Sequence, residues 1–332
     1  MRMRLLVILS FLFSAAAFLQ TAACAQQPDL VQGNWEGTFT KAESSQTPVR
    51  AEIIGEARGY RANLYVGEVT APAARWMPAT AKGKKLVFSA ETNLPAELGG
   101  RCEVEMTMAN GEIKGKFTGK DSPGSFRLTR IEKKSPTLGA KPPAGAVVLL
   151  DGTNLDAWRP AESPWKITSE GAVEVGKGPL RTKQEFGDGE YHIEFRTPYM
   201  PGKKGQARGN SGVYLLGRYE VQVLDSFGLE TRDNECGGVY KIATPKVNAC
   251  LPPLEWQTYD IVVRAPKFNA RGEKIQNAVI TVRHNGILIH DNVELPGMTG
   301  GSVSDKEAAK GILFLQDHGN KVQYRNIWYR PQ

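Results

Sequence analysis

Arg218-Tyr219-Glu220-Val221-Gln222-Val223-Leu224-Asp225-Ser226 alternates between polar and apolar side chains from Arg218 to Val223. A period of two is the signature of a β-strand, with Tyr219, Val221 and Val223 on one face and Arg218, Glu220 and Gln222 on the other. A one-residue slip would bury the charges and expose the apolar row, so the register of this strand is strongly specified. The segment Tyr191-His192-Ile193-Glu194-Phe195-Arg196 repeats the pattern, setting Ile193 and Phe195 against His192, Glu194 and Arg196. Further on, Ile312, Phe314, Gln316 and His318 share one parity. Strands of this kind, with 35 Gly and 20 Pro in 332 residues to turn the chain between them, define an all-β protein and exclude a helical bundle. Only residues 303–310 look capable of a helical turn or two.

Outward from this region the chain divides at residues 133–146, a stretch containing Pro136, Pro142 and Pro143 with no hydrophobic period. It reads as a semi-extended linker. Residues 27–132 before it hold about seven short alternating runs, among them Trp35 to Phe39, Cys102 to Met106 and Ile113 to Phe117, with an Asn110-Gly111 hairpin turn. They predict a small antiparallel β-barrel or sandwich as an accessory domain. Residues 147–332 form a second all-β domain with longer strands. Neither a dinucleotide fingerprint nor a phosphate loop is present, and Asn210-Ser211-Gly212 lacks the second glycine of a serine-nucleophile elbow.

Residues 1–25 read as a secretory signal peptide: Arg2 and Arg4 precede an apolar run from Leu5 to Leu19, and Ala23-Cys24-Ala25 meets the small-residue cleavage rule. The expected location is periplasmic or secreted, with lipid anchoring through Cys24 as the alternative. No later apolar run is long enough for a transmembrane segment. The net charge of +7 falls by two to +5 once Arg2 and Arg4 are removed, and the remaining basic residues are scattered, which predicts no nucleic-acid partner. In an oxidising compartment Cys236 and Cys250, flanking a Gly- and Pro-containing excursion, are the expected disulfide pair, with Cys102 left as a buried thiol. His192, His284 and His290 read as surface residues.

The polar rows concentrate Glu, Gln, Arg, His and Tyr, groups that grip sugars and move protons. The plain alternative is a solvated sheet face. Glu220 and Gln222, with Glu194, Arg196 and His318, are the candidates that these rows offer.

From Val147 to Pro331 the chain resembles the 3-keto-disaccharide hydrolase domain family. The residues that carry the likeness are Leu149-Leu150-Asp151-Gly152-Thr153-Asn154-Leu155, Glu194-Phe195-Arg196, Asn210-Ser211-Gly212-Val213-Tyr214, Arg218 to Ser226, Glu255-Trp256-Gln257-Thr258-Tyr259-Asp260, Leu315-Gln316-Asp317-His318-Gly319-Asn320 and Arg325-Asn326-Ile327-Trp328. It departs at Leu150, at Pro253-Leu254 and in the Cys236 to Cys250 segment. The resemblance implies a concanavalin- or laminin-G-like jelly-roll sandwich and a small-molecule carbohydrate substrate. The implied reaction is cleavage of glycosides already oxidised at C3 of the sugar: proton abstraction at C2, elimination of the aglycone, then hydration. For that reaction the resemblance implies Glu194, Glu220, Asp225 and His318 as candidates for proton transfer and Arg196, Tyr214, Arg218, Gln222, Tyr240 and Gln316 as candidates for holding substrate, and Arg196, Tyr214 or a divalent metal ion of unknown identity would steady the enolate. A carbohydrate-binding protein without catalysis is the rival reading, since a fold of this type does not fix function.

Overall fold

Asn110 and Gly111, with φ of 54° and 75°, make the expected two-residue hairpin turn between strands Arg101–Ala109 and Glu112–Thr118. The structure is a computed structural model that describes residues 29–41, 45–94, 98–120, 124–162 and 164–332. The signal peptide and the candidate anchor Cys24 lie outside the described residues. The hairpin belongs to a closed barrel of eight antiparallel strands, each bonded to the next in sequence, with Gly33–Lys41 closing onto Gly124–Ile131. Closure leaves no unpaired edge. Alternation sends Trp35, Phe39, Ile53, Phe88, Met106 and Phe117 into a single apolar core.

The strand missing from the sequence reading is Ala74–Lys82. Trp76 with φ of 57° and a register shift between Ala62 and Leu64 of the partner strand break its alternation, so it carries no clean period of two. Gly115 is placed by packing. A Cβ there would stand 2.0 Å from the Phe126 ring, so only a residue without one lets that ring lie across the strand.

Residues 147–331 fold as a two-sheet jelly-roll sandwich. One sheet has five strands in the order Trp158–Arg159, Leu180–Thr182, Phe314–Leu315, Ser211–Leu215 and Tyr219–Val223. The other is built around Gly189–Arg196, which lies between Gln323–Pro331 and Gln257–Arg264, with Ala278–His284 and Ile287–Leu295 beyond. Tyr219, Val221 and Val223 from the first sheet and Ile193, Phe195, Ile261 and Val282 from the second meet in one core. Thus Glu220 and Gln222 leave the sandwich on one outer face, Glu194 and His192 on the opposite one.

Residues 303–310 form no helix. Their carbonyls and acids are bonded elsewhere: Arg218 donates to the carbonyls of Lys306 and Lys310, and Tyr219 and Lys274 both bond Glu307. These tertiary bonds hold the loop irregular against its local propensity.

Barrel and sandwich are in contact. Asp29 accepts hydrogen bonds from Tyr60 of the barrel and Tyr199 of the sandwich, Asn63 donates to the carbonyl of Gly228, and Arg130 pairs with Glu255 at 3.6 Å. Between them lies a cavity of about 430 Å³ bordered by Asp29, Gln32, Arg130, Glu255 and Trp256.

Replacing Gly115 by Val should cost the barrel on the order of 2 kcal/mol through overpacking against Phe126, seen as a lower melting temperature. An unchanged melting temperature would show that the Phe126 ring has room to move away.

Candidate functional site

Glu220 sits on the outward face of the five-stranded sheet, where its cross-strand neighbourhood has been cleared. A Cβ on Gly212 would meet Glu220 Oε1 at 2.3 Å, and one on Gly301 would meet the Tyr214 hydroxyl at 2.5 Å. The glycines make room for a carboxyl and a phenol that touch: Tyr214 Oη is 2.8 Å from Glu220 Oε2, 2.8 Å from the Gly300 carbonyl and 3.2 Å from the donating Gln316 Nε2. Glu220 is 2% exposed. Burial raises its pKa and the Tyr214 hydrogen bond pulls it back only in part, leaving it at about 7. Burial, with the Glu220 charge and hydrogen bond, pushes the Tyr214 phenol well above its ordinary value.

One phenol proton cannot serve both Glu220 and Gly300. With Glu220 ionised, Tyr214 donates to the carboxylate; with Glu220 protonated, the acid donates to the phenol and the phenol turns to Gly300. Tyr214 and Glu220 therefore exchange a hydrogen bond whose direction follows the charge of the carboxyl.

Around this pair lie amides with unspent bonding capacity. Gln206 Oε1 accepts from Gln222 Nε2 at 3.0 Å and Asn210 Nδ2 at 3.1 Å, which fixes both amides. The opposite ends of these groups, Gln222 Oε1 and Asn210 Oδ1, have no partner, nor does Gln316 Oε1. Buried acceptors without donors are uncommon and costly. At the end of the strand Asp225 Oδ2 accepts from Arg208 Nε at 2.6 Å, while Asp225 Oδ1 and Arg208 Nη2 are also unpartnered. Burial raises the pKa of Asp225 and Arg208 lowers it, with the net direction upward. Half-buried Tyr240 adjoins the group, its backbone N–H bonded to the Glu220 carbonyl.

The predicted residues thus separate. Glu220, Tyr214, Gln222 and Gln316 come together, with Tyr240 and Asp225 at the border. His318 is exposed on the loop after Phe314–Leu315. Arg218 faces the 303–310 loop, spending its guanidinium on the carbonyls of Leu216, Lys306 and Lys310. Gln206, Asn210, Arg208 and the two glycines were missed in the sequence; Gly212 opposite Gln222 in the hairpin was the available signal, since a strand interior gives up packing for a glycine only where something must approach closely.

Glu194 and Arg196 belong to the other outer face, across both sheets from Glu220. Glu194 accepts from Arg325 Nε at 2.6 Å, Asn326 Nδ2 at 2.9 Å and the Gly139 N–H at 2.5 Å, with His192 Nε2 at 3.5 Å. Burial raises its pKa, and these bonds overcome that and hold it at about 2. His192, lowered by burial but raised more by Asp260 and Glu194, stands at about 9. Arg196 bonds Gln323 and Glu170 and, like Arg325, lies over Trp256. The 133–146 segment, read as a semi-extended linker, covers this row: Ser135 and Thr137 bond Thr258, Thr137 donates to Asp260, and the Ala140 carbonyl accepts from Asn326. Every partner of Glu194 is spoken for.

Two further expectations are corrected. His192, His284 and His290 are buried, at 0%, 1% and 1% exposure. Cys236 and Cys250 are free thiols, not a disulfide. They lie with His284 in the only group of three or more His, Cys, Asp or Glu side chains among the described residues close enough to hold a metal. Glu220, Asp225 and His318 do not assemble into such a set.

Fold and face together define a two-sheet jelly-roll sandwich that carries a buried acid among hydrogen-bonding amides on one outer face. The chain belongs to the 3-keto-alpha-glucoside-1,2-lyase-like domain family, which it matches over residues 145–330. Among solved structures it is similar to a provisionally assigned glycosyl hydrolase from Parabacteroides distasonis, at 37% identity over 57% of this chain and 85% of that one, with a TM-score of 0.53. A second such protein from the same organism aligns at 16% identity over 57% of this chain and 94% of its own, with a TM-score of 0.43. No curated protein matches. No helix among the described residues is long and apolar enough to cross a membrane.

Two stability measurements test the assignment of the faces. Glu194→Gln should destabilise the fold by on the order of 3 kcal/mol, since it leaves Arg325 without its buried anion. Glu220 behaves oppositely. Its pKa of about 7 lies above the ordinary 4.5, so its contribution is full below about pH 4.5 and is lost as pH rises through 7. Glu220→Gln should therefore gain on wild type by on the order of 3 kcal/mol at pH 8 and show no gain at pH 4. Parallel melting curves for the two proteins across that range would contradict the neutral, buried state of Glu220.

Proposed function

We propose that this protein cleaves glycosides oxidised at C3 of the sugar, at the outward face of the five-stranded sheet, with Glu220 as the base. A C3 ketone acidifies the C2 proton, because the electrons released become an enolate. A carboxyl with a pKa of about 7 suits proton abstraction there, being a stronger base than an ordinary glutamate and still ionised in good part at neutral pH. Glu220 takes the proton from C2, and the electron pair of that C–H bond forms the enolate. Its collapse restores the C3 carbonyl, forms the C1–C2 double bond and breaks the bond from C1 to the aglycone oxygen. Once Glu220 is protonated, the Tyr214 hydroxyl no longer has a carboxylate to serve and can donate to charge on the sugar.

The reading is supported by three buried acceptors without partners, Gln222 Oε1, Asn210 Oδ1 and Gln316 Oε1, which would take the donating hydroxyls of a sugar. His318, on the exposed loop, is the predicted proton-transfer residue left to protonate the departing oxygen. Water then adds across the C1–C2 double bond, with oxygen to C1 and a proton to C2, giving the free 3-keto sugar. The single observation that carries this reading is a near-neutral glutamic acid buried beside amide oxygens that nothing in the protein satisfies. Family membership supports the same chemistry.

Incubation with a 3-keto-glucoside and with its unoxidised parent should release aglycone from the first alone. Equal release from both would replace elimination with ordinary glycoside hydrolysis, and sugar binding without turnover would reduce the protein to a lectin. Glu220→Gln should lower turnover by about 10²-fold or more, the scale of a missing base. In the wild type, kcat/KM should rise with pH through an apparent pKa near 7. A profile flat across that range would remove Glu220 from the role of base.

A further inference from the structure

The core of the sandwich holds a polar group that the proposed reaction does not use. Cys236, Cys250 and His284 offer two sulfurs and one imidazole nitrogen, all within 4.8 Å of one another. They come from distant parts of the chain. Cys236 and Cys250 lie on the long connection between strands Tyr219–Val223 and Gln257–Arg264, and His284 ends strand Ala278–His284.

The surroundings fix each donor. His284 Nε2 is 2.9 Å from Gln257 Oε1, an oxygen that also accepts from the Leu251 N–H. That oxygen can only accept, so Nε2 carries the ring proton and Nδ1 presents a lone pair. This is the arrangement in which an outer amide sets the tautomer of a ligating histidine. Nδ1 also faces the cysteine segment, since a Cβ on Gly237 would lie 3.8 Å from it. The Cys236 N–H donates to Ser226 Oγ, the Cys250 N–H donates to Asn248 Oδ1, and Asn248 Nδ2 reaches back to the Ser226 and Leu229 carbonyls. Tyr259 Oη stands 3.2 Å from Cys236 Sγ and 2.7 Å from the Gln222 carbonyl. That carbonyl also accepts the Gly237 N–H, so the phenol can turn to a thiolate without leaving it unpaired.

We infer that Cys236, Cys250 and His284 supply three of the four ligands of a site for a thiophilic cation of filled d shell, and specifically for Zn²⁺, with the fourth position left to a water. Zinc–sulfur bonds of about 2.3 Å and zinc–nitrogen bonds of about 2.0 Å in tetrahedral array place ligand atoms roughly 3.5–3.8 Å apart, a spacing the cluster can take up by small side-chain rotations. Charge selects the ion. Two thiolates and a neutral imidazole around Zn²⁺ sum to zero, whereas Cu⁺ would leave a net negative charge in a core that offers it no partner. The metal would tie the connection that carries Tyr240, and backs Gln222, to the opposite sheet. It is a clamp behind the sugar-facing row, not a part of the reaction.

The test uses the full chain, produced in zinc-supplemented medium and purified with neither chelator nor oxidant. One equivalent of zinc retained through dialysis is expected, and its removal by chelator should lower the melting temperature. Replacement by Co²⁺ should give a thiolate-to-cobalt charge-transfer band together with the visible bands of tetrahedral cobalt. Both signals are read on the wild type and do not require a variant to fold. Cys102→Ser, altered in the barrel, should keep them, and Cys250→Ser should lose the charge-transfer intensity in part or whole. Absence of metal with both thiols reactive on unfolding overturns the site. So does a Cys236–Cys250 disulfide found by peptide mapping, and copper(I) bound in preference to zinc overturns the choice of ion.

Discussion

Side-chain alternation in two facing sheets forces a choice on this molecule. Once Tyr219, Val221, Val223, Ile193 and Phe195 are committed to the shared core, Glu220 and Gln222 must emerge on one outer face and His192 and Glu194 on the other. All four of these polar side chains are nonetheless buried. The same constraint therefore creates two buried polar rows, and the protein treats them differently. On the Glu194 side, Arg325, Asn326, His192 and a backbone N–H meet the carboxylate until it is a fixed anion. On the Glu220 side a single phenol meets it, and neighbouring amide oxygens are left over. Satisfaction of hydrogen bonds, more than residue type, separates the fixed row from the one proposed for chemistry.

That separation explains how far the sequence could be read. The period of two in residues 218–224 was enough to orient Glu220 and Gln222 correctly, and the all-β sandwich followed from many such runs. The same pattern in residues 191–196 gave an identical signal, because periodicity reports which face a residue takes and carries nothing about what packs over it. Arg218 misled for a related reason: its parity is that of Glu220, but it stands at the strand end, where the guanidinium bends to the 303–310 carbonyls. Gln206, Asn210 and Arg208 had no period to announce them. They lie on an irregular connection positioned by tertiary hydrogen bonds. Strand Ala74–Lys82 escaped because Trp76 interrupts its alternation.

The histidines make the same point about burial. His192, His284 and His290 each look like a surface group in an alternating or turn-adjacent segment, yet each is buried against a specific acceptor: Asp260, Gln257 or the Gly237 carbonyl. A buried histidine has to be paired with something. The partners sit 68, 27 and 53 residues away in sequence, beyond the reach of local pattern. Their environments then diverge. Carboxylates keep His192 protonated, whereas burial alone drives His284 down to about 3 and leaves it neutral.

The cover over the Glu194 row also bears on what counts as a complete sandwich. Ser135, Thr137, Gly139 and Ala140 lie ahead of residue 145, where the family likeness begins, yet they supply bonds to Thr258, Asp260, Glu194 and Asn326. A sandwich cut at the family boundary would open its most tightly held anion to solvent and strip a proton-sharing chain of hydroxyls from the His192–Asp260 pair. The cooperative unit accordingly extends about ten residues upstream of the recognisable one. The segment joining the barrel to the sandwich is, in its first half, a strap belonging to the sandwich, and this short, anchored tether limits how far the barrel can swing.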